Sequence, residues 1–139
     1  MAEVLAGLNI QPGEIVVDGT VGSGGHAQAI LERIGPRGQL IGCDRDHEAI
    51  SRCRERLQPY SSQLSLHHVN FTQLADVLHA VGVSMVNKII IDLGVSDEQL
   101  RTAERGFSFM QEGPLDMRMD RRESLTALNL VNNLPEIEL

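Results

Sequence analysis

The chain has few of the residues on which small secreted, zinc-binding and membrane proteins depend. Its 139 residues include two cysteines, Cys43 and Cys53, one tyrosine and no tryptophan. Two cysteines without a Cys-x-x-Cys pair exclude a disulfide framework and a zinc ribbon, so the cytoplasm is the expected location. Apolar runs are short, as at residues 89–91, whereas a membrane-spanning helix needs about 20 residues. No basic segment followed by an apolar run opens the chain, so we expect no secretory signal.

What the chain does contain suits one packed core. Hydrophobic residues make up 42% of the sequence and charged residues 22%, with a formal net charge of −7. This apolar content argues against a disordered chain. The acidic balance argues against nonspecific nucleic-acid binding by the whole surface. The histidines at 47, 67, 68 and 79 have no metal-like spacing, so no metal site is predicted.

Four short apolar stretches alternate with segments of helical spacing. The stretches are residues 14–18, 39–44, 64–69 and 88–92. Strands that alternate with helices indicate βαβ units and a parallel sheet, and the nearly unbroken apolar run at 88–92 is typical of a strand covered on both faces. The sequence therefore predicts an α/β fold.

The pattern changes after Leu100. Residues 101–120 mix Gly, Pro, Arg, Met and Phe without periodicity, which predicts a long structured loop, and residues 125–139 begin with helical spacing. We therefore expect a βαβ portion over 1–100, followed over 101–139 by a loop and the start of a helical region.

Four features lie at the predicted carboxyl ends of the strands, where open parallel sheets bind ligands. They are the glycine-dense segment 18–26 and the side chains of Asp44, Phe71 and Asp92. Glycines let the backbone approach a ligand closely, and the helix that follows offers unpaired N–H groups. Asp44 has the spacing of a carboxylate that binds ribose hydroxyls, and Phe71 has a ring that can stack on adenine.

Each of these features also has a structural interpretation. The glycines suit an ordinary turn between strand and helix, and Phe71 suits a core residue. Asp46 is the predicted N-cap of the helix that follows the second strand, so Asp44 also suits a neighbour of that cap. Their joint placement on four strand ends favours a nucleotide-type ligand. Residues 22–27 also fit the G-x-G-x-x-A form of a dinucleotide site, so spacing alone leaves NAD and S-adenosylmethionine open.

Longer segments resemble one known family. These are residues 18–26, 43–46, 70–71, 92–96 and, above all, the irregular stretch 104–120. Together they are similar to the ribosomal RNA small subunit methyltransferase H family. The resemblance implies a Rossmann-like class I methyltransferase fold, S-adenosyl-L-methionine as cofactor, and methylation of N4 of a cytosine in 16S rRNA, with small-subunit ribosomal RNA as the partner.

The resemblance also implies site residues. The implied cofactor-binding residues are Gly24, Gly25, His26, Asp44, Phe71, Asp92 and Gln99. Cytosine N4 is a poor nucleophile that the site must orient, and Asp92 is the carboxylate best placed to accept a hydrogen bond from it, with Ser96 as a weaker catalytic candidate.

Residues 101–122 are the expected RNA surface. They carry five Arg and four acidic residues, so this region is the least acidic in the chain. Phe107 and Phe109 are candidates to stack on a splayed base, although core packing explains them equally well. Candidate phosphate contacts are Arg105, Arg121 and Arg122. For Arg105, an internal carboxylate partner is the alternative.

The sequence departs from the family pattern in three places. It starts just after the family's His-x-Pro-Val-Leu segment, it reads Ser-Asp-Glu-Gln-Leu at 96–100 where the family has Ser-Ser-Pro-Gln-Leu, and the later strands and Ser-Phe-His-Ser segment are not in it. We therefore expect a sheet that stops after the fourth strand and a chain that is weak or inactive alone.

An open sheet edge at the fourth strand favours self-association or pairing with a complementary C-terminal portion. The alternative functions are a noncatalytic nucleoside-binding or partner-binding module and, more distantly, a fragment of an NAD-dependent dehydrogenase.

Overall fold

The computed structural model describes residues 2–138. The strands in this range are β1 (Ile15–Asp18), β2 (Gln39–Asp44), β3 (Leu64–His68) and β4 (Lys88–Ile90). The α-helices in it are α1 (Ala2–Leu8), α2 (Gly25–Ile34), α3 (His47–Arg56), α4 (Leu74–Ala80), α5 (Asp97–Arg101) and α6 (Ala127–Asn133). None of these helices is both long and apolar enough to cross a bilayer.

The four strands form one parallel sheet in the order β3-β2-β1-β4. The chain steps from β1 to β2 to β3 in one direction and then returns to place β4 on the other side of β1. Right-handed crossovers require the helices of the two directions to cover opposite faces. The reversal creates a topological switch point between β1 and β4, which is where sheets of this kind bind ligands at their carboxyl ends.

The two faces of the sheet carry separate apolar clusters because successive strand residues point in opposite directions. Val16 and Leu40 pack on one face with residues of α2 and α3, including Ile30 and Ile50. On the other face, the cluster consists of residues from β1, β2 and α4. Its buried members are Val17, Ile41, Cys43 and Val77. The sheet is therefore the middle layer of an α/β sandwich, as the sequence predicted.

Strand β4 is covered on one face only. Ile90 is 7% exposed, whereas Ile89 is 48% exposed and Ile91 is also exposed. The strand is shorter than the predicted 88–92, because its pairing with β1 ends where Asp18 lies opposite Ile90. The expectation that both faces of this run are covered is therefore wrong for β4 in this structure.

Local signals in the sequence explain where α3 begins. Asp46 accepts a hydrogen bond from the backbone N–H of Glu48 at 2.9 Å. This is the N-cap interaction that satisfies one of the free donors of a helix start. The predicted cap at Asp46 is therefore confirmed.

The chain divides into two compact units, residues 1–92 and 93–139. Helix α5 packs with the short 3₁₀ turn Ala103–Arg105 and so belongs to the second unit. The second unit is irregular between that turn and α6, in agreement with the predicted loop.

Candidate functional site at the carboxyl ends of the strands

The glycine-dense segment after β1 is tied to the ends of both neighbouring strands. The N–H of Gly19 donates to the carbonyl oxygen of Ile90 at 2.9 Å, next to β4. Toward β2, the N–H of Val21 donates to the carbonyl of Cys43 at 2.9 Å and that of Gly22 to Oδ2 of Asp44 at 2.8 Å. These bonds hold the loop backbone across three strand ends.

Gly19 lies where two other segments approach closely. A Cβ atom added to it would lie 3.1 Å from Cγ1 of Ile91 and 3.2 Å from Cβ of Phe71. Any larger residue at this position would therefore require these neighbours to move by a few tenths of an ångström. The contact also shows that Phe71, which follows β3, reaches the end of β1, so the predicted grouping of Phe71 with the glycine segment is present in the structure.

Helix α2 begins at the same place with an open N-terminus. Its N-cap, Gly24, has φ of 86° and no side chain to bond the first N–H groups. In the first turn, Nε2 of His26 is buried and has no hydrogen-bond partner among the described residues. A buried polar atom without a partner is costly. His26 and the free helix start therefore suit a polar ligand, which is the role the sequence proposed for Gly24, Gly25 and His26.

Asp44 ends β2 and receives two backbone hydrogen bonds. Its Oδ2 accepts from Gly22 and its Oδ1 from the N–H of Asp46 at 2.9 Å. Burial raises the pKa of this carboxyl, and the two N–H donors oppose the rise. Each carboxylate oxygen keeps lone-pair capacity beyond one bond, so Asp44 retains acceptors for the hydroxyl groups of a ligand.

Asp18 is the site residue that our sequence analysis did not select. It ends β1 and is 2% exposed. Its pKa is raised to about 7, chiefly by burial and also by the charges of Asp44 and Asp92, while the hydrogen bond from the N–H of Thr20 opposes the rise. The available signal was an acidic residue at the end of an apolar strand, directly before Gly-Thr.

Asp92 lies just beyond β4 instead of closing that strand as predicted. Its side chain is exposed, and its backbone N–H donates to Oγ1 of Thr20 at 2.7 Å. Asp18, Asp44 and Asp92 thus place three carboxyl groups at one edge of the sheet. Within residues 2–138, no three His, Cys, Asp or Glu side chains form a group suited to hold a metal ion.

Ser96 and Gln99 lie in the second unit and bond each other. Oγ of Ser96 accepts from the N–H of Gln99 at 3.2 Å, and Oε1 of Gln99 accepts from the N–H of Ser96 at 2.9 Å. This reciprocal capping box starts α5. The two residues therefore have a helix-capping role that the sequence analysis did not anticipate.

The structure places Arg105 inside the second unit. It is 2% exposed, and its Nη2 donates to the carbonyl oxygens of Arg118 and Met119, both at 3.1 Å. Its guanidinium lies 5.9 Å from the ring centroid of Phe107. These contacts favour an internal partner for Arg105 over a phosphate contact, and the backbone carbonyl oxygens of Arg118 and Met119 are among its internal partners.

The other candidate RNA residues are on the surface. Phe109 is 96% exposed. Arg121 and Arg122 are exposed too, and Arg122 pairs with Asp120 at 2.7 Å. An exposed Arg that already pairs with a carboxylate must exchange that partner to bind a phosphate.

The family of this chain follows from its match to a family model. The model of the MraW methylase family matches residues 1–139. The chain belongs to the MraW methylase family. A relative from Citrifermentans bemidjiense, ribosomal RNA small subunit methyltransferase H, is 51% identical over 137 residues, which cover 99% of this chain and 44% of that protein. A relative of the same name from Thermobifida fusca is 46% identical and covers 100% of this chain and 42% of that protein. The chain therefore spans less than half the length of these relatives.

Solved structures with low identity agree on the fold of this MraW methylase family member. An S-adenosylmethionine-dependent O-methyltransferase from Thermotoga maritima has a TM-score of 0.54 at 14% identity, covering 66% of this chain and 33% of that one. Fibrillarin from Aeropyrum pernix, solved with natively bound S-adenosyl-L-methionine, has a TM-score of 0.54 at 13% identity, covering 70% and 41%. The fold is the Rossmann-like methyltransferase fold, as the family resemblance implied.

The buried carboxyl group of Asp18 predicts a distinctive pH dependence of stability. Its folded-state pKa of about 7 lies above the ordinary value of 3.8, so between these values the folded chain holds a proton that the unfolded chain has released. Stability should therefore fall as the pH rises through this window and level off above it. The difference is a few kcal/mol at most, since one pKa unit corresponds to about 1.4 kcal/mol.

Asp18→Asn tests this, because the amide oxygen keeps the acceptor for Thr20 but cannot ionise. Urea unfolding of both proteins near pH 5 and near pH 8 should show that wild type loses more stability than Asp18→Asn. Parallel losses in the two proteins would contradict the assignment.

Proposed function

We propose that residues 1–139 form the S-adenosylmethionine-binding portion of an enzyme that methylates the N4 amine of a cytosine in small-subunit ribosomal RNA. The observation that carries the proposal is the glycine loop held across β4, β1 and β2, beside Asp44 and the unpartnered Nε2 of His26. Family membership and the names of the relatives support the reaction class and the RNA substrate. An RNA substrate of this kind also favours a cytoplasmic location.

The chemistry of the strand ends fits this cofactor. Asp44 offers acceptors to two ribose hydroxyls, and Phe71 offers a ring face to adenine. The cofactor is cationic at sulfur, and the cluster formed by Asp18, Asp44 and Asp92 supplies negative charge where a cation is favoured. A pyrophosphate would instead be repelled by these carboxylates, which favours S-adenosylmethionine over NAD.

The protein has to orient a weak nucleophile. S-adenosylmethionine supplies an activated methyl group on a sulfonium. The exocyclic amine of cytosine is delocalised into its ring, so the carboxylate of Asp92 would accept a hydrogen bond from N4 and hold its lone pair in line. Ser96 remains a weaker candidate for this contact and Gln99 a candidate for the methionine end of the cofactor.

The second unit supplies the proposed RNA contacts. Phe109 is the better stacking candidate because its side chain is exposed to solvent, whereas Phe107 packs near the guanidinium of Arg105. A base taken out of folded RNA needs an aromatic or guanidinium plane to stack on. Arg121 and Arg122 are the proposed phosphate contacts.

Calorimetry separates the candidate ligands. We expect the chain to bind S-adenosylmethionine and not NAD, and Asp44→Ala to weaken binding roughly 10- to 100-fold, since it removes hydrogen bonds to a charged acceptor. The matched control is Asp76→Ala, which removes an exposed carboxylate on α4 and should bind as wild type does. Because Asp44 also holds Gly22, Asp44→Asn is a second variant that retains one acceptor oxygen. Binding of NAD in preference to S-adenosylmethionine would refute the proposal.

A turnover assay separates the enzyme from a noncatalytic nucleoside-binding module. Residues 1–139 incubated with small-subunit RNA and labelled methyl donor should give little or no product, since the relatives that carry the activity in their names are more than twice as long. Any label incorporated should map to N4 of cytosine and disappear in Asp92→Asn. Rapid turnover by these residues alone would contradict the expected weak activity, and label at another atom would contradict the N4 assignment.

We also propose that the chain self-associates through β4, whose outer edge has no strand beside it among the described residues. Ile89 exposes apolar surface on the uncovered face of the same strand, and open edges pair with other chains. Light scattering should detect a concentration-dependent dimer that Ile89→Lys shifts toward monomer. Met85→Lys makes the same apolar-to-charged replacement at an exposed site outside the strand and should leave the dimer unchanged. A monomer at every concentration would contradict the proposal.

A further inference from the structure

Thr20 bridges two carboxyl-bearing residues across the switch point. Its backbone N–H donates to Oδ1 of Asp18 at 3.1 Å, and its side-chain Oγ1 accepts from the N–H of Asp92 at 2.7 Å. One residue of the glycine loop therefore contacts both the end of β1 and the segment that follows β4.

The hydrogen bond from the N–H of Asp92 to Thr20 lies just beyond the end of the β1–β4 pairing. Backbone pairing of β1 with β4 ends at Asp18 and Ile90, and the N–H of Gly19 then reaches the carbonyl of Ile90. Asp92 lies two residues further along, beyond the last β-pairing. The hydroxyl oxygen of Thr20 accepts the hydrogen bond from the N–H of Asp92 there. A side chain therefore links the two segments beyond the last pair of backbone hydrogen bonds.

The geometry has a direct consequence for the carboxylate. The position of a side chain follows from where its Cα is held, and small displacements in a site have large effects on orientation. Asp92 is otherwise exposed, so little packing restrains it. The hydroxyl of Thr20 also keeps its own proton free for donation after accepting one bond.

We propose that Thr20 is a positioning residue that holds the backbone of Asp92 and thereby sets where its carboxylate lies relative to the bound cofactor. The inference rests on the proposed function, because it takes Asp92 as a cofactor and substrate contact. Thr20 lies in the segment that carries the motif and the family resemblance, but neither of these gave it a role of its own.

Two variants isolate the hydroxyl. Thr20→Val has nearly the same shape but no acceptor, and Thr20→Ser keeps the acceptor. Titration of S-adenosylmethionine by calorimetry should show affinity lowered about fivefold to tenfold in Thr20→Val, the size expected for one lost hydrogen bond, and within about twofold of wild type in Thr20→Ser. Hydrogen exchange of the ligand-free proteins should show faster exchange at the Asp92 amide in Thr20→Val alone.

A double-mutant cycle with Asp92→Ala distinguishes positioning from a general structural role. If Thr20 acts through the carboxylate, Thr20→Val should cause no further loss of affinity in the Asp92→Ala background. An equal loss in both backgrounds, or unchanged affinity in Thr20→Val, would overturn the inference. Failure of wild type to bind S-adenosylmethionine would refute the proposed function instead, and unchanged exchange at the Asp92 amide would then still overturn the role of Thr20.

Discussion

The backbone hydrogen bonds of the glycine loop are the constraint on which the site depends. Gly19 and Val21 donate to strand-end carbonyls on either side of β1, and Gly22 donates to a carboxylate. A loop of this composition has many conformations available when free, so these bonds select one and offset its conformational entropy. Phe71 and the start of α2 lie next to this loop.

The same edge of the sheet concentrates negative charge. Asp18 is buried and close enough to Asp44 and Asp92 for their charges to raise its pKa. Like charges brought together in this way destabilise the empty protein, and a cation relieves the repulsion. The electrostatics of the site and the stability of the fold are therefore linked, because whatever neutralises the carboxylates also favours the folded chain.

Local signals in the sequence were sufficient for most of the fold. The apolar stretch at 39–44 matches β2 residue for residue, and Asp46 caps α3 as expected. Relations that depend on strand order could not be derived in this way. The burial of Asp18 and its proximity to Asp92 follow from β4 lying beside β1. For Arg105 the sequence left a phosphate contact and an internal partner open, and only the folded loop shows the carbonyl oxygens that accept hydrogen bonds from it.

The placement of β4 beside β1 has a consequence for the chain entropy of folding. The bond between Thr20 and Asp92 joins residues 72 positions apart, whereas the bond between Gly22 and Asp44 spans 22. Closing the longer loop costs about 1 kcal/mol more in chain entropy. The β1–α2–β2 segment, with its nearer contacts, therefore forms at a smaller cost in loop closure than the pairing of β4 with β1. Assembling the half of the site that carries Asp92 therefore costs more chain entropy than assembling the half that carries Asp44.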